Sequence, residues 1–151
     1  MGALVSIFTT PEGGEELTSQ SEVTLEIGIG IVGDRYATKQ GTFSKATVKD
    51  EEQVTLIELE EIHAYNRTTN SDYPHDMFRR NLVTKNVRLN DLVGKEFFVG
   101  ECKLLGIELC EPCNYLTTYI SDVLNHMIHK GGLRAKVLEG GKIRPQNIIK
   151  T

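Results

Sequence analysis

The sequence predicts a mainly β domain with two or more helices, arranged as an antiparallel, barrel-like sheet. Three observations predict it. Short β-type runs alternate with Gly and Pro punctuation along most of the chain. Only two stretches carry a helical repeat. Neither an internal repeat nor a composition shift marks a linker, so residues 1–151 read as one domain.

Leu4 to Thr9 reads as the first strand, closed by the turn signal Pro11-Glu12-Gly13-Gly14. Val23 to Ile27 reads as the second. Gln53 to Leu56 is β-like, and Ile57 to Asn66 reads as a helix, with Leu56, Leu59, Ile62 and Tyr65 recurring on one side. Asn81 to Val83, Glu96 to Val99 and Lys103 to Leu109 read as strands, punctuated by Gly94 and Gly100. Tyr119 to Lys130 is the clearest helix, because Ile120, Val123, Leu124 and Met127 fall at i, i+3, i+4 and i+7. Gly131 and Gly132 end it. Leu133 to Leu138 and Lys142 to Ile149 read as strands joined by a Gly140-Gly141 hairpin.

Composition narrows the function. No apolar run approaches a membrane span, and no basic N-terminal segment leads into a signal-type stretch, so the expectation is a cytoplasmic protein with no membrane partner. The net charge of -4 argues against nucleic acid as a partner. Any anion site must be local, made by a few placed arginines. The three cysteines, Cys102, Cys110 and Cys113, cannot close into a complete disulfide set and fit reduced thiols. The myristoylation-like start Met1-Gly2-Ala3-Leu4-Val5-Ser6 is better read as leading into the first strand.

Four segments carry chemistry. Gly28-Ile29-Gly30-Ile31-Val32-Gly33 matches a dinucleotide fingerprint in form only, because no helical stripe follows it. Its glycines read instead as a sharp turn from which Asp34 and Arg35 project. In Phe78-Arg79-Arg80-Asn81, strand alternation would put Arg79 and Asn81 on one face and Arg80 on the other. A guanidinium suits phosphate because its planar fork donates two parallel hydrogen bonds. Ordinary solvated charges are the equal alternative.

Cys110-Glu111-Pro112-Cys113 could be a redox pair, half of a zinc site, or a single reactive thiol at Cys113 set after a proline. The redox pair lacks a βαβ context, and the zinc site lacks a second ligand pair of standard spacing. Cys102 and Cys110 read as small core residues. Gly131-Gly132-Leu133-Arg134-Ala135 offers amides to an anion and sets Arg134 at a strand entry; a helix cap with an incidental arginine is the plainer alternative.

Taken in order, Gly33-Asp34-Arg35, Val54-Thr55-Leu56-Ile57, Phe78-Arg79-Arg80-Asn81-Leu82, Leu92-Val93-Gly94, Pro112-Cys113 and Gly131-Gly132-Leu133-Arg134-Ala135 resemble the MOSC domain family, named for the C-terminal domain of molybdenum-cofactor sulfurases. The resemblance implies a β-barrel-like fold and binding of the molybdenum cofactor, a phosphate-bearing pterin dithiolene (molybdopterin). It implies that Cys113 carries sulfur as a persulfide or ligates molybdenum. Asp34, Arg35, Arg79, Asn81 and Arg134 would then hold the pterin and phosphate. The implied activity is sulfur transfer or molybdenum-dependent reduction of N-hydroxylated compounds. The implied partners are a cysteine desulfurase or an electron-donor protein. A non-catalytic cofactor-binding module and a zinc-stabilised β domain using Cys110 and Cys113 are the rival readings. Two positions depart from the family: Tyr36 stands where a His is frequent, and Arg144-Pro145-Gln146-Asn147-Ile148 replaces a frequent Gly-Asp-x-Ile hairpin. The chain is expected to be a stand-alone domain, without the pyridoxal-phosphate desulfurase part of the full sulfurases.

Overall fold

The computed structural model describes residues 2–11, 16–34, 53–110 and 130–151. Seven strands close into a barrel. They are β1 (Gly2–Thr9), β5 (Val54–Glu58), β6 (Leu82–Lys85), β7 (Glu96–Val99), β8 (Cys102–Leu109), β9 (Leu133–Glu139) and β11 (Ile148–Lys150). Their order is β11-β7-β8-β9-β5-β6-β1, and pairing of Gly2 with Ile149 completes the ring. The short β2 (Thr18–Ser19) extends β1 on one side. A second sheet of β3 (Val23–Glu26), β4 (Gly30–Ile31) and β10 (Gly141–Ile143) is hydrogen-bonded separately, and its Val23, Leu25, Ile31 and Ile143 pack into the barrel's core.

Alternation explains most of the barrel. Leu133, Ala135 and Val137 of β9 are buried, while Arg134, Lys136 and Leu138 are half-buried. Leu104 of β8, Phe97 and Val99 of β7 and Leu56 of β5 join them in one core. In β1, Leu4 and Ile7 both reach that core although they are three residues apart. A register irregularity between Leu4 and Ser6 against β6 shifts the phase by one residue.

The expected wholly antiparallel sheet has one exception. β5 and β6 are parallel, with Leu56 opposite Leu82. A parallel pair needs a crossover, and the helix α1 (Leu59–Thr69) supplies it. Ile62 and Tyr65 of α1 pack with Ile57, Val83 and Phe78 on the outside of the barrel, and the Tyr65 and Phe78 rings meet edge-on at 5.5 Å. All five residues of β5 are therefore buried, core on one face and helix on the other. This is why Ile57 is strand rather than the start of the helix. Asn70, in the left-handed region at φ 52°, ends α1 and donates its N–H to Arg67 and Asn66 carbonyls. The expected second helix, Tyr119 to Lys130, lies outside the described residues except for its last position, Lys130, which is a turn.

The Gly140-Gly141 hairpin does not form. β10 leaves β9 and pairs with β3, Lys142 opposite Thr24, and Arg144 to Asn147 make a turn before β11. The expected single strand Lys142 to Ile149 is thus two strands in two sheets. Pro145 in that turn has no N–H for a ladder.

Glu58 ends β5 almost fully buried; it accepts the Leu89 N–H at 3.1 Å and lies 3.6 Å from Arg88. Burial raises its carboxyl above the ordinary 4.5, against the pull of the Leu89 amide and Arg88. Above pH 4.5 the folded state therefore holds more protons than the unfolded chain. The stability linked to Glu58 is full below that value and is lost as pH rises through the folded value. Glu58→Gln keeps an acceptor for Leu89 and is expected to flatten this decline. Urea unfolding of both proteins from pH 4 to 7 checks it; parallel profiles would contradict it.

Candidate functional site

One rim of the barrel gathers the described parts of four of the segments singled out above, at Asp34, Phe78–Asn81, Cys110 and Gly131–Ala135. Register places the end of β1, the start of β6, the end of β8 and the start of β9 together. Ile7 pairs with Leu82, Leu56 with both Leu82 and Leu133, and Leu109 with Leu133. Each chemistry-bearing segment is tied to this rim by hydrogen bonds.

Asp34 is fully buried and its Oδ1 accepts the Thr10 N–H at 3.2 Å, just past the end of β1. The Gly33-Asp34 turn is thereby fixed against the rim. Arg35, the next residue, lies outside the described residues, as does Tyr36. Beside this turn a groove of about 420 Å³ is lined by Thr9, Pro11, Thr18, Gln20, Val32 and Gly33, a size within the range of small-ligand clefts. A second groove of about 400 Å³, bordered by Asn86, Arg88, Asp91 and Lys95, includes Leu92 but none of the arginine- or cysteine-bearing segments singled out above.

The strand β6 begins at Leu82, so Phe78-Arg79-Arg80-Asn81 precedes it. Strand alternation therefore does not set the direction of these side chains. Arg79 instead caps a 3₁₀ turn, His75–Phe78, in the left-handed region at φ 60°. Such a conformation in a non-glycine residue is uncommon and recurs at functional sites. Its side chain is buried.

Asn81 is turned inward as a clamp. Its Oδ1 accepts from the Thr55 N–H at 3.1 Å and from the Thr55 hydroxyl at 3.0 Å. Its Nδ2 donates to the Phe8 carbonyl at 3.1 Å. It stitches β1 to β5 at the mouth of β6, and the structure gives it this structural task in place of an open amide.

Arg134 is opposite Thr55 on β5 and Glu108 on β8, and its Nε lies 3.8 Å from Glu108. Asn81 and Arg134 thus flank Thr55 from two sides. Gly132 serves packing. A Cβ there would lie 1.8 Å from the Leu56 carbonyl oxygen, so the close approach is to β5.

Arg80, which alternation would turn away from the site, is the residue sequence reasoning missed. Its Nε donates to the Gly131 carbonyl at 2.8 Å, Nη1 to Phe78 and Nη2 to Cys110, both at 3.3 Å. The Cys110 N–H in turn donates to the Gly132 carbonyl at 2.7 Å. The available signal was the adjacency of two arginines to a strand entry, which alone does not say which one turns in.

Cys102 and Cys110 are free and buried, as expected of core cysteines. Burial, helped by Glu101, pushes the Cys102 thiol up to about 11, so it stays a thiol. Cys113 lies outside the described residues, three positions after Cys110. Among the described residues, no group of three or more His, Cys, Asp or Glu side chains is placed to hold a metal.

Arg80 and Arg134 lie at this rim with Asp34 and Glu108; Arg79 and Lys130 adjoin them in sequence, and Asp76 stands on the 3₁₀ turn before Arg79. Such a donor set fits an anionic, phosphate-bearing group.

Comparison with known proteins agrees with this architecture. No curated protein sequence matches the chain. Solved structures do. The YuaD protein of Bacillus subtilis aligns with a TM-score of 0.79 at 16% identity, over 99% of this chain and 94% of its own. YiiM of Geobacillus stearothermophilus aligns at 0.76 and 14% identity, over 99% of this chain and 74% of its own. YiiM of Escherichia coli aligns at 0.68 and 18% identity, over 98% and 68%. At such identities the likeness establishes the fold. The model of the MOSC domain matches residues 44–150, well over half of the sequence, and by that match the chain belongs to the MOSC domain family.

Proposed function

We propose that this rim binds a molybdenum cofactor of the molybdopterin type and that Cys113 is its working thiolate. The supporting observation is that Arg80 ties Gly131 to Cys110, the stems of the segment that carries Cys113, with Arg134 on the adjoining strand and Arg79 next to Arg80 in sequence, on an otherwise acidic protein. Arg79 and Arg134, with Arg35, would hold the pterin and phosphate by charge-assisted hydrogen bonds. Asp34 fixes the turn from which Arg35 follows. Asn81 ties β5 to β1 at the mouth of β6. The bound cofactor would supply a redox-active molybdenum centre.

Two chemistries suit the thiolate. As a carrier, Cys113 would attack the outer sulfur of a donor persulfide, as a cysteine desulfurase could present it. A new S–S bond forms on Cys113 and the donor's thiolate leaves. As a soft ligand, it would hold molybdenum for reduction of N-hydroxylated substrates, with electrons from a donor protein. A cytoplasmic setting suits either chemistry; no helix among the described residues is long and apolar enough to cross a membrane.

Protein purified from a host that makes the cofactor should release a fluorescent pterin on denaturation. Folded protein from such a host that releases none would refute the reading. Mass spectrometry of the untreated protein separates the chemistries: one added sulfur on Cys113 marks the carrier, and bound molybdenum with N-hydroxy reduction marks the enzyme.

A further inference from the structure

Two histidines from separate elements meet on the outside of the barrel. His63 is an exposed residue of α1, and the half-buried His75 opens the 3₁₀ turn His75–Phe78. Their ring centroids are 6.0 Å apart, with the planes tilted by 58°. Among the described residues neither imidazole makes a hydrogen bond or an ion pair, which leaves the ring nitrogens open.

The packing beneath holds the two rings in place. The Asn66 amide acts as a piece of backbone: its Nδ2 donates to the Tyr73 carbonyl and its Oδ1 accepts the Tyr73 N–H, both at 3.1 Å. The Tyr65 ring lies 6.1 Å from Tyr73 and 5.5 Å from Phe78. The chain is therefore fastened to α1 at Tyr73 and again at Phe78, and His75 lies between the two fastenings. Pro74, at φ -68°, stiffens the entry to the turn. Little side-chain or loop ordering remains to be lost when a ligand joins the rings.

One metal ion can accept both imidazoles at this spacing. A zinc–nitrogen bond of about 2.0–2.1 Å, with roughly 1.1 Å from the nitrogen to the ring centre, puts each centroid about 3.2 Å from the ion. Two rings on one ion then lie at most about 6.4 Å apart, and about 5.2 Å apart at a tetrahedral angle. The observed 6.0 Å lies within that limit. A small turn of the exposed His63 closes the rest. The tilt also matters, because in a face-to-face stack the nitrogen lone pairs would run parallel and not converge. Imidazole suits zinc, copper and nickel, whereas magnesium takes oxygen ligands. Among the described residues no third His, Cys, Asp or Glu is placed to join the pair, so water would complete the shell and binding would be reversible.

The geometry points to a binding site for a divalent transition metal of the zinc type at His63 and His75, clipping α1 to the 3₁₀ turn that leads into Arg79. That turn is held by the Met77 N–H on the Pro74 carbonyl and the Arg79 N–H on the Asp76 carbonyl, both at 3.1 Å. An ion on His75 steadies the same turn, and with it the left-handed backbone of Arg79.

The test adds Zn²⁺ to the full chain, up to about 1 mM, and reads the thermal midpoint and amide hydrogen exchange. At a tenfold excess over its Kd the ion should raise the midpoint by about 3–5 °C. Exchange should slow at Met77 and Arg79. His63→Ala and His75→Ala should each lose the rise, because one imidazole alone binds far more weakly. No rise at about 1 mM Zn²⁺ overturns the proposal. So does a full rise retained in either variant, which would place the zinc elsewhere, or an equal rise with Mg²⁺. His63 is exposed, and its alanine variant is expected to fold; should His75→Ala not fold, His63→Ala decides alone. The site stands apart from the cofactor reading. Protein free of pterin should show it, and its failure leaves that reading untouched.

Discussion

Gly132→Ala is expected to destabilise the protein by at least about 3 kcal/mol. Gly132 has φ +110°, a conformation that side chains rarely adopt, and forcing a non-glycine residue there costs about 1–3 kcal/mol. The added Cβ would also lie 1.8 Å from the Leu56 carbonyl oxygen and 2.9 Å from its carbon. Both are backbone atoms of β5, which is packed on two faces and cannot move away. At roughly 2–4 °C per kcal/mol for a chain of this size, the thermal midpoint should fall by about 6–12 °C. Gly94→Ala is the matched control. Gly94 also has positive φ, +78°, but nothing lies within 4 Å of its absent Cβ. It should show the backbone strain alone. Equal losses in the two variants would mean that the Leu56 contact has no energetic weight. Because the Gly132 carbonyl accepts the Cys110 N–H, Gly132→Ala should also weaken the contact between the ends of β8 and β9.

Cys113→Ser is expected to abolish cofactor retention or sulfur loading while leaving the barrel intact. A serine hydroxyl cannot form a persulfide, and as a hard neutral oxygen it is a poor substitute for a thiolate on a high-valent metal. Pterin, molybdenum and added sulfur should all fall below detection in the variant, with the unfolding midpoint unchanged. Full retention of all three would remove Cys113 from the chemistry and favour a module that binds its ligand with the arginines alone.

The strands were legible because period-2 burial leaves a strong mark. Glu96–Val99 falls where alternation and the flanking Gly94 and Gly100 place it. Leu133–Glu139 extends its predicted run by one residue. Buried strands are harder. β5 is covered on both faces, so its apolar run continued into the helical stripe and Ile57 was assigned to the wrong element. The partner of β10 is set by tertiary packing against β3, which local turn chemistry at Gly140-Gly141 does not report. At the rim, the sequence identified the right segments but not their division of labour. Asn81 and Gly132 hold the barrel together, and Arg80 rather than Arg79 ties the stems of the segment, because these side chains precede the strand whose alternation was used to orient them.

The claim beneath all of this is that Cys113 works within a field of guanidinium groups. The rate at which native Cys113 reacts with a dianionic aromatic disulfide, compared with a neutral one of similar size, measures that field. Relative to free cysteine, the anionic reagent should be favoured by about tenfold at low ionic strength, with the preference collapsing as salt screens the site. Equal preference at all salt concentrations, or faster reaction with the neutral reagent, would contradict the account.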